Sequence, residues 1–358
     1  MTKKLVLAIM ASILVVGSAV ADDAKAPKWY DKIGVSGYLD AYYQINPNGL
    51  SGNIVGRAFD TRQNEFAFSG AKIAVSETDA ATGIGGELDL LYGPVAFLAA
   101  GGPVEQAFGT FSLGPVGFKV GKFTTHLGYE VIETPANLNY SRSLLFNQVP
   151  FYHVGAEATY SPLEGLGLMV GVVNGNSIEQ ANDEAKDIAA QVTYSKISGL
   201  SLIANYYLES NRTAAGAQPF ENTHYLELVG NYQALPALGV GCDYLYKTTI
   251  ASTDKDADGN LLGDSSSPKS QGYALYANYV TPVSGLSVVP RFEQWYAPDA
   301  YALAYDYTLT AKYAVGAITH YLELRQDIAY PGSYLPPAGE TELKSTQMTL
   351  TYGVTYSF

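Results

Sequence analysis

Apolar and polar side chains alternate residue by residue through most of the sequence beyond Gly34. In VSGYLDAYYQ, 35–44, Val35, Gly37, Leu39, Ala41 and Tyr43 share one side, and Ser36, Tyr38, Asp40, Tyr42 and Gln44 share the other. In DIAAQVTYS, 187–195, Ile188, Ala190, Val192 and Tyr194 separate from Asp187, Gln191, Thr193 and Ser195. The last twelve residues, QMTLTYGVTYSF, send Met348, Leu350, Tyr352, Val354, Tyr356 and Phe358 to one face. A period of two is the signature of a strand, whereas a helix would repeat its apolar positions three and four apart.

About sixteen such segments follow one another, starting near Val35, Glu65, Gly85, Gln106, Val116, Tyr152, Leu166, Asp187, Leu200, His224, Leu238, Gln271, Leu286, Ala304, Ala317 and Gln347. Phe66 and Phe68 are out of phase with Ala71, Ile73 and Val75, which predicts a bulge near Ser69-Gly70. The connections alternate between short and long. Glycine-bearing turns such as EGLGL at 164–168, SGLSL at 198–202 and SGLSV at 284–288 are followed by polar stretches such as 46–64, 124–151, 174–186, 211–223, 248–270 and 329–346. Long loops kept to one end of an even number of strands describe an all-β, antiparallel up-and-down transmembrane β-barrel, with short periplasmic turns and long extracellular loops.

No window of the chain beyond the N-terminus is apolar for the roughly 18 residues that a spanning helix needs. Lys3 and Lys4, the apolar run 5–16 and Ala19-Val20-Ala21 read as a signal peptide over 1–21, followed by a short periplasmic leader over 22–34 and the barrel over 35–358. A net charge of −13 argues against a nucleic-acid-binding surface. One cysteine leaves no disulfide or thiolate metal cluster.

A barrel this wide turns its apolar face to lipid. Many of the 29 tyrosines then fall outward near strand ends, where the ring meets hydrocarbon and the hydroxyl meets water. Cys242 also falls outward. The opposite face carries Asp40, Glu65, Glu87, Asp89, Glu157, Asp187, Glu209, Glu227, Asp243, Glu293, Asp306 and Glu323, against Lys72, Lys119, Lys247, Arg291, Lys312 and Arg325. Sixteen strands enclose more space than wall side chains fill, so the expectation is a water channel with mild cation preference.

The stretch GKFTTHLGYEVIETPANLNYSRSLLFNQVPFYHVGAEATY, 121–160, resembles the OmpL-like β-barrel porin family of outer-membrane porins, as do the opening VSGYLDAYYQ and VNGN at 173–176. The resemblance implies a barrel in the outer membrane of a Gram-negative-type bacterium and supplies no solute. By analogy with general porins, the third long loop, 124–151, folds inward and narrows the channel. His126, Glu130, Glu133, Asn137, Asn139, Tyr140 and Arg142 are then constriction candidates, with Arg57 and Arg62 of the first long loop in reach. Asp40, Glu87, Asp89, Lys119, Glu157, Arg291, Glu293, Lys312, Glu323 and Arg325 are candidate pore-lining residues. Terminal Phe358, with aromatic and apolar residues at alternate positions before it, looks like the signal read by the barrel-assembly machinery. Wide porins often form homotrimers, which makes a homotrimer the candidate assembly.

Asp254, Asp256 and Asp258 match the start of a calcium loop, but Ser265 stands where a bidentate glutamate belongs. The four histidines share no metal spacing, and no nucleophile, base and orienting group come as a motif. The expectation is therefore a non-enzymatic, cofactor-free passive channel for small hydrophilic solutes and ions. The alternatives are a substrate-selective channel and a structural or adhesive barrel.

Overall fold

The computed structural model describes residues 32–79, 83–181, 185–211, 221–251, 269–298, 302–334, 336 and 339–358. The expected signal peptide, most of the leader and the Asp254–Asp258 motif lie outside the described residues. Among those described, sixteen antiparallel strands close into one barrel, each bonded to its sequence neighbours and β1 bonded to β16. In chain order they are β1 (Ile33–Ile45), β2 (Phe66–Thr78), β3 (Gly85–Tyr92), β4 (Val104–Leu113), β5 (Val116–Thr124), β6 (Tyr152–Leu163), β7 (Leu166–Val173) and β8 (Asp187–Tyr194). The second half comprises β9 (Leu200–Asn211), β10 (Glu221–Leu235), β11 (Leu238–Ala251), β12 (Lys269–Val280), β13 (Leu286–Ala297), β14 (Ala302–Val315), β15 (Ile318–Tyr330) and β16 (Thr346–Ser357). A short helix, α1 (Pro94–Ala99), lies in the connection from β3 to β4. No helix among the described residues is long and apolar enough to cross a membrane.

The alternation read from the sequence is the inside–outside alternation of this wall. Leu39, Leu88, Val170, Leu228 and Leu322 are exposed on the outer face, while Asp40, Asp89, Glu227 and Glu323 on the opposite phase are buried inside. The seam between β1 and β16 closes through Gly37 and Phe358, whose backbone groups exchange two hydrogen bonds of 3.0 Å. At the short-turn end, Tyr160, Tyr194, Tyr232, Tyr279, Tyr313 and Tyr356 each pair with the first residue of a neighbouring strand. Their rings form a girdle at one level, as expected for phenols at a headgroup boundary.

Two bulges change which side chains enter. Asp40 pairs with Gly70 and Ala41 with Phe68, so Ser69 is the extra residue, at the position where the phase of the sequence breaks. Asp89 pairs with Gln106 and Leu90 with Val104, so Glu105 is a second extra residue. A bulge leaves two residues opposite one and re-aims their side chains. Glu105 and Gln106 are both buried inside, an arrangement that simple alternation does not predict. The wall is also uneven: β3, β7 and β8 have 8 residues each, whereas β10 has 15 and β11 and β14 have 14.

Candidate functional site

The segment between β5 and β6 has only two isolated helical turns, Thr134–Ala136 and Leu145–Gln148, so most of its backbone N–H groups have no partner within the segment. Buried amides need acceptors. The inward carboxylates of the wall supply them. Gly128 N–H reaches both oxygens of Glu227 on β10, at 2.9 and 2.8 Å, and Tyr129 N–H donates to Asp243 on β11 at 3.4 Å. Tyr140 and Ser141 N–H donate to Glu323 on β15, at 2.7 and 3.1 Å. Leu144 N–H donates to Glu293 on β13 at 2.6 Å. A loop with little secondary structure is thereby held in one place.

Side chains add to this seat. Asp40 on β1 accepts from the Thr134 hydroxyl at 2.6 Å and the Tyr140 hydroxyl at 2.8 Å. Burial, then the neighbouring Asp40 carboxylate, holds the Tyr140 phenol well above its usual range, which keeps it a donor. Asn139 donates to the Val289 carbonyl and the Thr310 hydroxyl, at 3.2 and 2.7 Å. Lys312 on β14 donates to the Asn137 carbonyl at 2.7 Å. Asn137 folds back on its own loop, exchanging bonds with the Val131 backbone and donating to the Glu133 carbonyl.

The densest part is an arginine pair. Arg291 sits 2.8 Å from Glu130 and 2.8 Å from Glu293, and it donates to the Ser141 carbonyl at 2.7 Å. Arg325 pairs with Asp306 and, at 2.7 Å, with Asp327, and donates to the Ser141 hydroxyl at 3.1 Å. Arg57, from the loop after β1, joins this group through Asp60 and Asp327, at 2.9 Å each. Planar guanidinium forks suit several carboxylates at once, which a point-charge ammonium does not.

The sequence candidates divide on this geometry. Glu130, Glu133, Asn139, Tyr140, Arg57, Asp40, Asp89, Arg291, Glu293, Lys312, Glu323 and Arg325 belong to the contact between loop and wall, and most are buried. Glu157 is buried next to Lys119, 3.2 Å away, while Lys119 and Glu87 keep part of their surface open. Arg142 turns inward on its own loop, donating to the Val131, Ile132 and Tyr140 carbonyls while covering the rings of Phe59 and Phe146. Arg62 is exposed and its side chain pairs with Glu65, three residues along.

His126 Nε2 lies 3.1 Å from the Tyr206 carbonyl, with its ring against His153 and Tyr207. Burial, reinforced by His153 and Lys119, pushes its pKa down to about 4, so the ring is neutral at pH 7. Glu133 approaches Lys72. Burial alone would raise that carboxyl, but the ammonium outweighs it and the net shift is downward. Sequence reasoning passed over Asp327, which shares a phase with Glu323 and Arg325 and was legible. It also passed over Glu105, which only the bulge turns inward.

Inward glycines make room for the loop. A Cβ on Gly241 would fall 2.4 Å from Tyr129, and one on Gly353 would fall 2.3 Å from Tyr140. Tyr129 also stacks on Tyr276 of β12, with 4.2 Å between ring centroids.

Comparison with known proteins places this architecture. The sequence matches the family described as "Putative beta-barrel porin-2, OmpL-like" over residues 32–358. The chain belongs to this family. As an OmpL-like porin it is an outer-membrane barrel of a Gram-negative bacterium. Solved structures share the fold at low identity. An anion-selective porin from Comamonas acidovorans is 13% identical, with a TM-score of 0.60 over 91% of this chain and 99% of that one. The outer membrane channel DcaP of Acinetobacter baumannii is 12% identical, with a TM-score of 0.63 over 91% and 97%. OmpT of Vibrio cholerae is 13% identical, with a TM-score of 0.55 over 91% and 97%. No curated protein matches the sequence.

Proposed function

We propose that this porin is a non-enzymatic, passive diffusion channel for small hydrophilic solutes and ions, with segment 124–151 as its constriction. The observation that carries the reading is the seating of that segment on inward carboxylates of β10, β11, β13 and β15. A loop bonded to the wall at so many points sets the width and charge of whatever path remains. Acids outnumber bases among the inward side chains of the described wall, which supports mild cation preference. The near-complete burial of Arg291, Arg325 and Glu323 supports a second reading, a narrower, substrate-selective channel.

Assembly as a homotrimer is supported by the low wall at β3, β7 and β8, where strands of 8 residues leave little height to match a lipid core. One solved neighbour, OmpT of Vibrio cholerae, is described in a trimer form. Phe358, bonded to Gly37 at the closing seam, is where we place recognition by the barrel-assembly machinery. The test is conductance and reversal potential of refolded protein in a planar bilayer under a KCl gradient. Stepwise conductance with a cation-sign potential is expected. An anion-sign potential overturns the preference, and a barrel that neither conducts nor lets liposomes swell in small sugars overturns the channel reading.

A further inference from the structure

The inward wall of β2–β4 holds a group of carboxylates that loop seating does not neutralise. Lys72 Nζ lies 2.7 Å from Asp89 and 2.9 Å from Glu105, and it also pairs with Glu133 of the loop. One oxygen from each of the three acids lies within 4.8 Å of the other two. Three carboxylates and one ammonium leave a formal charge of −2, and the side chains of Asp89 and Glu105 are 0% and 1% exposed. Buried charge without compensation is costly, so such groups are usually paired or coordinate a metal.

A second observation stands apart from the clustering. Oε1 of Glu105 and Oδ1 of Asp89 are buried and accept no hydrogen bond, whereas Oε2 of Glu105 is held by the Lys72 ammonium. Buried acceptors are ordinarily satisfied. Gln106, the nearest amide, is already committed, donating to Asp89 Oδ2 at 2.8 Å and to Glu87 at 3.3 Å. Glu105 enters this space only through the β4 bulge. Carboxylate oxygens lacking donors, next to two further carboxylates, are the ligand set of a hard cation.

We propose that Asp89, Glu105 and Glu133 bind a divalent cation of the Ca²⁺ or Mg²⁺ class beside Lys72. A charge of +2 brings the group to neutrality. The ion ties the loop, through Glu133, to β3 and β4, and water completes its coordination. Ca²⁺ accepts irregular oxygen cages of this kind more readily than Mg²⁺, which demands near-octahedral geometry.

The experiment is a titration of the full refolded chain in detergent with Ca²⁺, Mg²⁺ and Mn²⁺ at constant ionic strength, followed by Mn²⁺ paramagnetic resonance and by the thermal unfolding midpoint. Saturable binding with a rise in the midpoint is expected. Glu105→Gln weakens it at least tenfold, and Lys72→Met, which removes the competing ammonium, tightens it. Should Glu105→Gln not fold, Glu133→Gln on the loop carries the same expectation. The proposal is overturned if no saturable binding occurs, if the glutamine variant binds as tightly as the parent, or if binding is lost in Asp256→Asn instead. The readout is binding itself, so failure here leaves the channel reading untouched.

Discussion

The ring of Tyr140, at the middle of the loop, lies directly over the α-carbon of Gly353 in β16, where a Cβ would fall 2.3 Å from the ring. Neither residue makes sense without the other. Gly353 sits on the inward phase of a strand whose other inward positions hold glutamine, threonine and serine, and its missing side chain is the space that the tyrosine occupies. The same ring packs on Tyr42 and Tyr321, with centroids 5.7 and 5.6 Å away, so the contact joins three strands to one loop residue.

Gly353→Ala should therefore displace the loop while leaving the barrel closed. Overpacking of this kind costs about 1–3 kcal/mol. The expected result is raised, noisier single-channel conductance. Gly239→Ala is the control, because its Cβ would sit 3.5 Å from the flexible end of Gln233. Equal behaviour of the two variants would exclude the packing argument.

Arg291 should be the least replaceable side chain of the seat. Arg291→Met leaves Glu130, Glu293 and Asp306 buried with one counter-charge fewer. Removing one partner of a buried ion pair costs about 3–5 kcal/mol. Chemical unfolding of the variant is expected to show that loss, and bilayer recordings a change in ion selectivity. A variant as stable as the parent would mean that the acids are protonated or otherwise neutralised.

Arg142 and Glu133 should behave differently from one another, although both lie on the loop. Arg142 donates to three loop carbonyls, so Arg142→Lys loses the planar fork and the loop's own fold, at about 3 kcal/mol. Glu133→Gln keeps the shape and changes the charge beside Lys72, so conductance persists with an altered reversal potential. Identical phenotypes would remove the distinction between a residue that shapes the loop and one that charges the path.

The seat should loosen in acid through His126. Its pKa is about 4 in the folded chain, against an ordinary value of 6.5. Between those values the unfolded chain binds more protons than the folded one, so stability falls as pH drops from 6.5 toward 4. The loss reaches at most about 3 kcal/mol, at 1.36 kcal/mol per pKa unit. Above pH 6.5 the ring is neutral in both states and contributes no slope. Replacing His126 with Asn should reduce the slope of unfolding free energy against pH across this window, and an unchanged slope would assign the effect elsewhere.

Eight of the sixteen strand starts read from the sequence coincide with those in the structure, and the others lie within three residues. The reason is local: a wall between lipid and a polar interior imposes a period of two on each strand, and glycine-bearing turns restart it. The Ser69 bulge was legible for the same reason, since Phe66 and Phe68 break phase with Ile73. The inward position of Glu323, Arg325 and Arg291 was legible too. What those charges touch was not. Glu227, Asp243, Glu293 and Glu323 accept backbone amides from residues about 100 to 180 positions away, and no spacing in the sequence encodes such a pairing. Arg142 and Arg62 look alike in the sequence, yet one closes on its own loop and the other pairs with an exposed neighbour. Alternation, set by the two solvents on either side of each strand, determined the barrel and its faces. Loop placement, the role of each inward charge and the entry of Glu105 were decided only in three dimensions, because they depend on which buried donors and acceptors satisfy one another once the barrel is closed.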